Sequence, residues 1–322
     1  MTEKQKVSRE TPGPIAQKFI RSVAKYAKTK VINLNDWKIA KAYNQELEQS
    51  YKDKDLSHLD PLHAIYVDAQ NRIADFINQF SAHPDSRKLN NSFVEAEDEY
   101  TPSYPPMSPI TNSYFTCWSA FDMCAGVKKE TYATIMIDFC KSLGGHADFI
   151  NVLKYMQKSR MGLYIVEGND NKYSYLREIY TNKSVKTHVP CKYLGVPGEI
   201  WFVRLLPDPT NQYCDYSVAF TSPYVIIDFP VGSNRPANPR ELMYSEDKWL
   251  KFIERNLSRT KYTDTQQAYE HFMKYGLTKF YWLEYIFEAY VNHTPDLVLL
   301  TGFPDVKASL PHADSHHEKW LG

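Results

Sequence analysis

In the run IWFVRLL, residues 200–206, a single guanidinium interrupts six apolar side chains. Arginine presents a rigid fork of donors that matches carboxylates and phosphates, and it stays charged at any physiological pH. An arginine on an apolar face therefore needs an acidic partner or an anionic ligand, because an unpaired buried charge costs several kcal/mol. Glu178 and Glu199 are the nearby carboxylates that could serve. Arg160, in KSRMGLY just before the first strand-like run, is a second potential contact for an anion. Arg160, Glu178, Glu199 and Arg204 form the candidate ligand-binding set, with the two arginines expected to converge. The competing expectation is an internal salt bridge that locks a strand to a helix.

Other residues with reactive chemistry are scattered. Near the C-terminus, His312, Asp314, His316 and His317 lie close together, and a helix would bring His312 and His316 to one face. Frayed termini rarely fix ligands, so no metal is expected there. The five cysteines (Cys117, Cys124, Cys140, Cys191, Cys214) show no Cys-x-x-Cys pair, which argues against a zinc site or a disulfide framework. Glycine is scarce at 12 of 322, and neither G-x-x-x-x-G-K nor G-x-G-x-x-G occurs. That disfavours phosphate-cradling loops, and no cofactor is expected. No G-x-S-x-G elbow or H-E-x-x-H helix is present either.

Two short patterns resemble known families without carrying them. His83-Pro84-Asp85 matches the tripeptide of J-domain co-chaperones, but the preceding helix carries Asp68 and Asp75 against Arg72, so the segment reads as a turn. Asp305 and Lys307 in FPDVK are similar to the D/E-x-K element of PD-(D/E)xK nucleases, but the αβ core of that fold is not visible around them.

These residues must be positioned by the surrounding elements. Residues 1–91 read as an N-terminal helical region. Its clearest helix starts at Asp60-Pro61 and repeats Leu62, Ile65, Tyr66, Ala69, Ile73, Phe76, Ile77 and Phe80. Residues 15–30 form a basic amphipathic helix with Lys18, Arg21, Lys25 and Lys28 on one face, a possible contact for nucleic acid or a membrane surface that is not favoured here. From 81 to 113 the pattern dissolves into prolines and the acidic cluster Glu95, Glu97, Asp98 and Glu99, and residues 92–113 read as a linker. The remainder, 114–322, reads as an α+β core domain. Helices are expected over 115–142, ended by Gly144 and Gly145, and over 146–158. Five short runs rich in Val, Ile, Tyr, Phe and Thr follow between 161 and 227. They predict a small five-stranded antiparallel β-barrel or strongly bent sheet, packed by helices before and after it. In that barrel Trp201, Val203 and Leu205 share one face and Ile200, Phe202 and Arg204 the other, so the strand is expected to be covered twice. Further helices follow, one with a Thr263 to Gln266 capping box, and DLVLLTGFPDV reads as a last strand.

Lys+Arg and Asp+Glu balance at 38 each, so no global field draws the chain onto nucleic acid or anionic membranes. The charged N-terminus and the lack of a long apolar run imply no transmembrane segment and a cytoplasmic location. The 24 tyrosines suit a recognition surface. The expected function is therefore a non-catalytic binding protein that uses a Tyr-rich surface and an Arg-containing β unit to engage a protein or an anionic ligand. The alternative is a hydrolase, with nucleic acid as a candidate substrate, built on acidic and histidine residues of the C-terminal region.

Overall fold

The computed structural model describes residues 11–29, 56–101, 112–210, 214–227 and 246–301. Helices α1 (Pro14–Thr29), α2 (Pro61–Ser81), α3 (Arg87–Tyr100), α4 (Asn112–Phe121), α5 (Tyr132–Ser142) and α6 (Ala147–Lys158) precede the sheet. Strands β1 (Met161–Asn169), β2 (Tyr173–Glu178), β3 (Ser184–His188), β4 (Ile200–Pro207), β5 (Ser217–Ala219) and β6 (Tyr224–Ile227) come next. Helices α7 (Glu246–Leu257), α8 (Thr265–Tyr275) and α9 (Tyr281–Ala289) then lead into β7 (Tyr290–His293) and β8 (Val298–Thr301). Among the described residues, no helix is long and apolar enough to cross a membrane.

The expected five-stranded barrel is present as a ring in the order β1-β2-β3-β5-β4, closed by a second pairing of β1 with β4. It differs from the expectation in strand direction. Neighbours in a closed ring can alternate throughout only if the strands are even in number, so five strands force at least one parallel contact. That contact is β3 with β5, where Thr187 pairs with Ser217 and His188 with Val218. The last apolar run of the barrel breaks at Ser222-Pro223 into β5 and β6. Both lie on the same side of β4, and β6 carries the sheet onward to β8 and β7.

Alternation along β4 places its side chains as the sequence implied. Trp201 and Val203 are buried against Val166, Leu176 and Ala219 of the ring. On the other face Ile200 and Phe202 meet the helices, with the Phe202 ring 4.8 Å from that of Trp282. Gly195, at φ +77, lies under the Trp201 ring, where a Cβ would come within 2.5 Å of Cζ2.

Three helical expectations need correction. The stretch 87–100 is helix, not linker: Leu89, Phe93, Ala96 and Tyr100 recur at helical spacing, and they join a cluster that also holds Phe19, Phe80 and Trp249. The single helix expected over 115–142 is broken at Asp122. There a turn closed by Ala125 and Glu130 intervenes, and Thr131 opens α5 with a reciprocal capping box to Thr134. The N-cap of α8 is Asp264, whose side chain accepts from Gln267 N at 2.7 Å, one residue later than expected. The α2 start holds as read, with Asp60 accepting from the amides of Leu62 and His63.

The carboxylate of Glu130 reaches back to the N-terminus of α1 and accepts from Ile15 N (3.0 Å) and Ala16 N (2.9 Å). This is a capping contact supplied from more than a hundred residues away. Gly13 fits beside it because any Cβ would strike the Glu130 side chain. Glu130→Ala is expected to cost about 1–2 kcal/mol, as for loss of a helix cap. In hydrogen exchange, the amides of Ile15 and Ala16 should lose protection before those of α5; equal protection in mutant and wild type would remove this role.

Candidate functional site

Arg204 leaves the helix-facing side of β4 fully buried. Its partner is neither Glu178 nor Glu199 but Asp122, at the end of α4, whose Oδ2 accepts from Nη2. Nη1 donates to the Ser159 carbonyl and hydroxyl, both at 3.1 Å. The other oxygen of Asp122, Oδ1, accepts from Lys274 Nζ of α8 at 2.7 Å, and that ammonium also donates to the carbonyls of Gln157 and Ser159. Two cations thus share one carboxylate in the core, leaving a net charge of +1. Burial, opposed by Asp122, pushes Lys274 down to about 8, so it remains mostly protonated at neutral pH.

Glu178, expected beside Arg204, is held instead by Arg160. Its Nη1 donates to Glu178 Oε1 at 2.7 Å and to the Met161 carbonyl, while Nε and Nη2 grip Glu270 of α8. The guanidinium lies 4.8 Å over the Tyr269 ring, and the Tyr269 hydroxyl donates to the same Glu178 oxygen at 3.0 Å. Arg160 and Arg204 therefore flank the Ser159-Met161 junction, yet among the described residues both bond to internal acceptors. Glu199 lies elsewhere. It accepts from Tyr193 Oη (2.6 Å), Val196 N (3.1 Å) and Trp201 Nε1 (3.1 Å), closing the loop that leads into β4.

The exposed chemistry lies on the outer face of β2 and β3. Alternation puts Tyr173, Tyr175 and Arg177 outward on β2, and register sets them opposite His188, Lys186 and Ser184. The Tyr173 ring is 5.0 Å from that of Tyr216 and carries Lys186 Nζ at 4.4 Å and Lys172 Nζ at 4.9 Å. Two of these rings are pinned by their hydroxyls: Tyr175 Oη donates to Asp170 at 2.7 Å and Tyr216 Oη to Asp60 at 2.8 Å. Lys186 pairs with Asp215, and Arg177 with Glu167 and Glu246. His63 and His188, with ring centroids 6.4 Å apart, are held neutral further down in pH, chiefly by burial. Sequence reasoning named tyrosine abundance without this face. The alternation of Tyr173 and Tyr175 in YSYLRE was the available signal.

Residues 302–322, with Asp305, Lys307 and the His312, Asp314, His316, His317 cluster, lie outside the described residues, as does Lys28's side chain. Among the described residues, no three His, Cys, Asp or Glu gather to hold a metal. Burial raises the Cys117 thiol to about 11, far from the thiolate that a nucleophile requires. Compared with known protein families, curated proteins and solved structures, the chain matches none.

Proposed function

We propose that the protein is a non-catalytic binding protein whose tyrosine-rich barrel face, on β2 and β3, engages a protein partner. The observation that carries this reading is the row of outward-facing rings on a closed sheet: Tyr175 is exposed and Tyr173 and Tyr216 are half-buried, with Tyr175 and Tyr216 held by hydrogen bonds and Tyr173 packed between Tyr216 and two lysines. Tyrosine gives large contact area at small entropic cost, and rings already fixed by Asp170 and Asp60 lose little more on binding. Other five-stranded Greek-key barrels present the face of their second and third strands to ligands, though architecture alone assigns none. Opposite charges alternate across the face, so its own acids offset its lysines. That favours a mixed protein surface over a polyanion. In this reading Arg160 and Arg204 act from behind, tying the barrel to α8 and the end of α4.

The test is affinity capture from the source cells followed by calorimetry with the purified partner. A Tyr173→Ala, Tyr175→Ala double variant is expected to bind at least about a hundredfold more weakly, as for two buried interface anchors, with an unchanged circular dichroism spectrum. A partner that binds both proteins equally would defeat the reading.

A further inference from the structure

Away from the barrel face, a cavity of about 320 Å³ opens beside Asp122, between the end of α4, the 123–130 turn and the C-terminal end of α8. Its walls are of two kinds. Trp118, Met123 and Leu277 are apolar, whereas Lys129, His271 and Lys279 bring cationic or protonatable nitrogen. We propose that this cavity binds a small organic phosphate, with the phosphate among Lys129, His271 and Lys279 and the apolar part against Trp118 and Met123.

Charge is the first argument. The acid of the cavity floor, Asp122, has both oxygens taken by Arg204 and Lys274, so the floor contributes a net positive charge. At the rim Lys129 Nζ stands 3.4 Å from His271 Nε2; burial, with the ammonium beside it, holds the imidazole below its usual value, so the neutral ring accepts from the lysine. Among the described residues, no carboxylate forms an ion pair with Lys129. Lys279 pairs with Glu95 at 2.9 Å, but both side chains are about half exposed, and such pairs exchange partners at little cost. An anion beside these nitrogens would take the Lys129 ammonium in a charge-assisted contact and favour a proton on His271.

Backbone geometry is the second. Lys129 has φ +49, a left-handed conformation that a lysine adopts only when its surroundings impose it. The imposition is visible: Ala125 and Glu130 exchange backbone hydrogen bonds across the turn, and Glu130 is itself fixed to the start of α1. At the terminal turn of α8 the Phe272 carbonyl accepts from both Gly276 N and Trp282 Nε1, which removes that one carbonyl from opposing an anion. Size is the third. A volume near 300 Å³ is at the lower end for organic ligands and leaves room beyond a phosphate head.

Calorimetry of the full chain with phenyl phosphate at low salt tests the proposal. One saturable site is expected, with Kd of about 1 mM or tighter, weakened by added NaCl. Inorganic phosphate and phenol should each bind at least about tenfold more weakly, since each lacks one half of the contact. Lys129→Ala, an exposed substitution, should reduce affinity at least about tenfold, and Lys279→Ala serves if the first variant misfolds. The Tyr173→Ala, Tyr175→Ala variant should bind phenyl phosphate as wild type does, which separates this site from the barrel face. No saturable binding, equal binding of phenol or inorganic phosphate, or an unchanged affinity in a folded Lys129→Ala protein would each overturn it.

Discussion

Asp122→Ala is expected to lower stability by about 3–5 kcal/mol, because it strands two buried cations at once. Arg204 and Lys274 would keep their bonds to the Ser159 and Gln157 carbonyls but lose the carboxylate that, among the described residues, pairs with both. Lysine can shed its proton, and its lowered pKa makes that step accessible. Arginine cannot. The measurement is urea unfolding followed by fluorescence, comparing midpoints at constant slope. Asp122→Asn should be intermediate, since it keeps the shape and one acceptor oxygen but turns its amide NH2 toward the other cation. Replacing the whole triad, Asp122→Leu with Arg204→Met and Lys274→Met, should recover much of the loss, because a buried ion network returns little net stability over a packed apolar one. An Asp122→Ala protein within about 1 kcal/mol of wild type would show that water reaches the cluster and screens it.

Trp201→Ala is the second large effect, with an expected cost of about 3–5 kcal/mol from the cavity it leaves. The ring is fully buried, stacks near Tyr193 at 5.8 Å, and covers Gly195. Its indole N–H also donates to Glu199, so the mutation loosens the 193–199 loop as well as the ring's interior. Trp201→Phe should recover most of the packing but leave one Glu199 contact unmade, separating the two contributions. Thermal unfolding reads the difference. A loss below about 1 kcal/mol for Trp201→Ala would mean that the barrel collapses onto the void.

Much of this was written in local sequence. The double apolar alternation of β4 announced a strand covered on both faces, and Arg204 on one of those faces announced a buried ion pair. The identity of the partner did not follow, because Asp122 lies 82 residues away and becomes adjacent only when α4 packs on β4. In sequence Glu178 is offered to Arg204, although the β-hairpin brings it instead within reach of Arg160, 18 residues away. The break at Asp122 was obscured by an apolar pattern that resumes in register after the turn, although Thr131 and Thr134 held a capping signal. In α3 the run of acids at Glu95, Glu97, Asp98 and Glu99 drew attention from the spaced apolar stripe of Leu89, Phe93, Ala96 and Tyr100. The acids point to solvent, as charged residues on a half-buried helix should.

The parallel contact between β3 and β5 joins only two residue pairs, fewer than any other seam of the ring. Tyr173 and His188 lie on one side of that seam, and Tyr216 and Asp215 on the other. A molecule seated across these side chains would act as a clasp on the joint where the barrel is weakest, so occupancy and barrel closure become a single linked equilibrium.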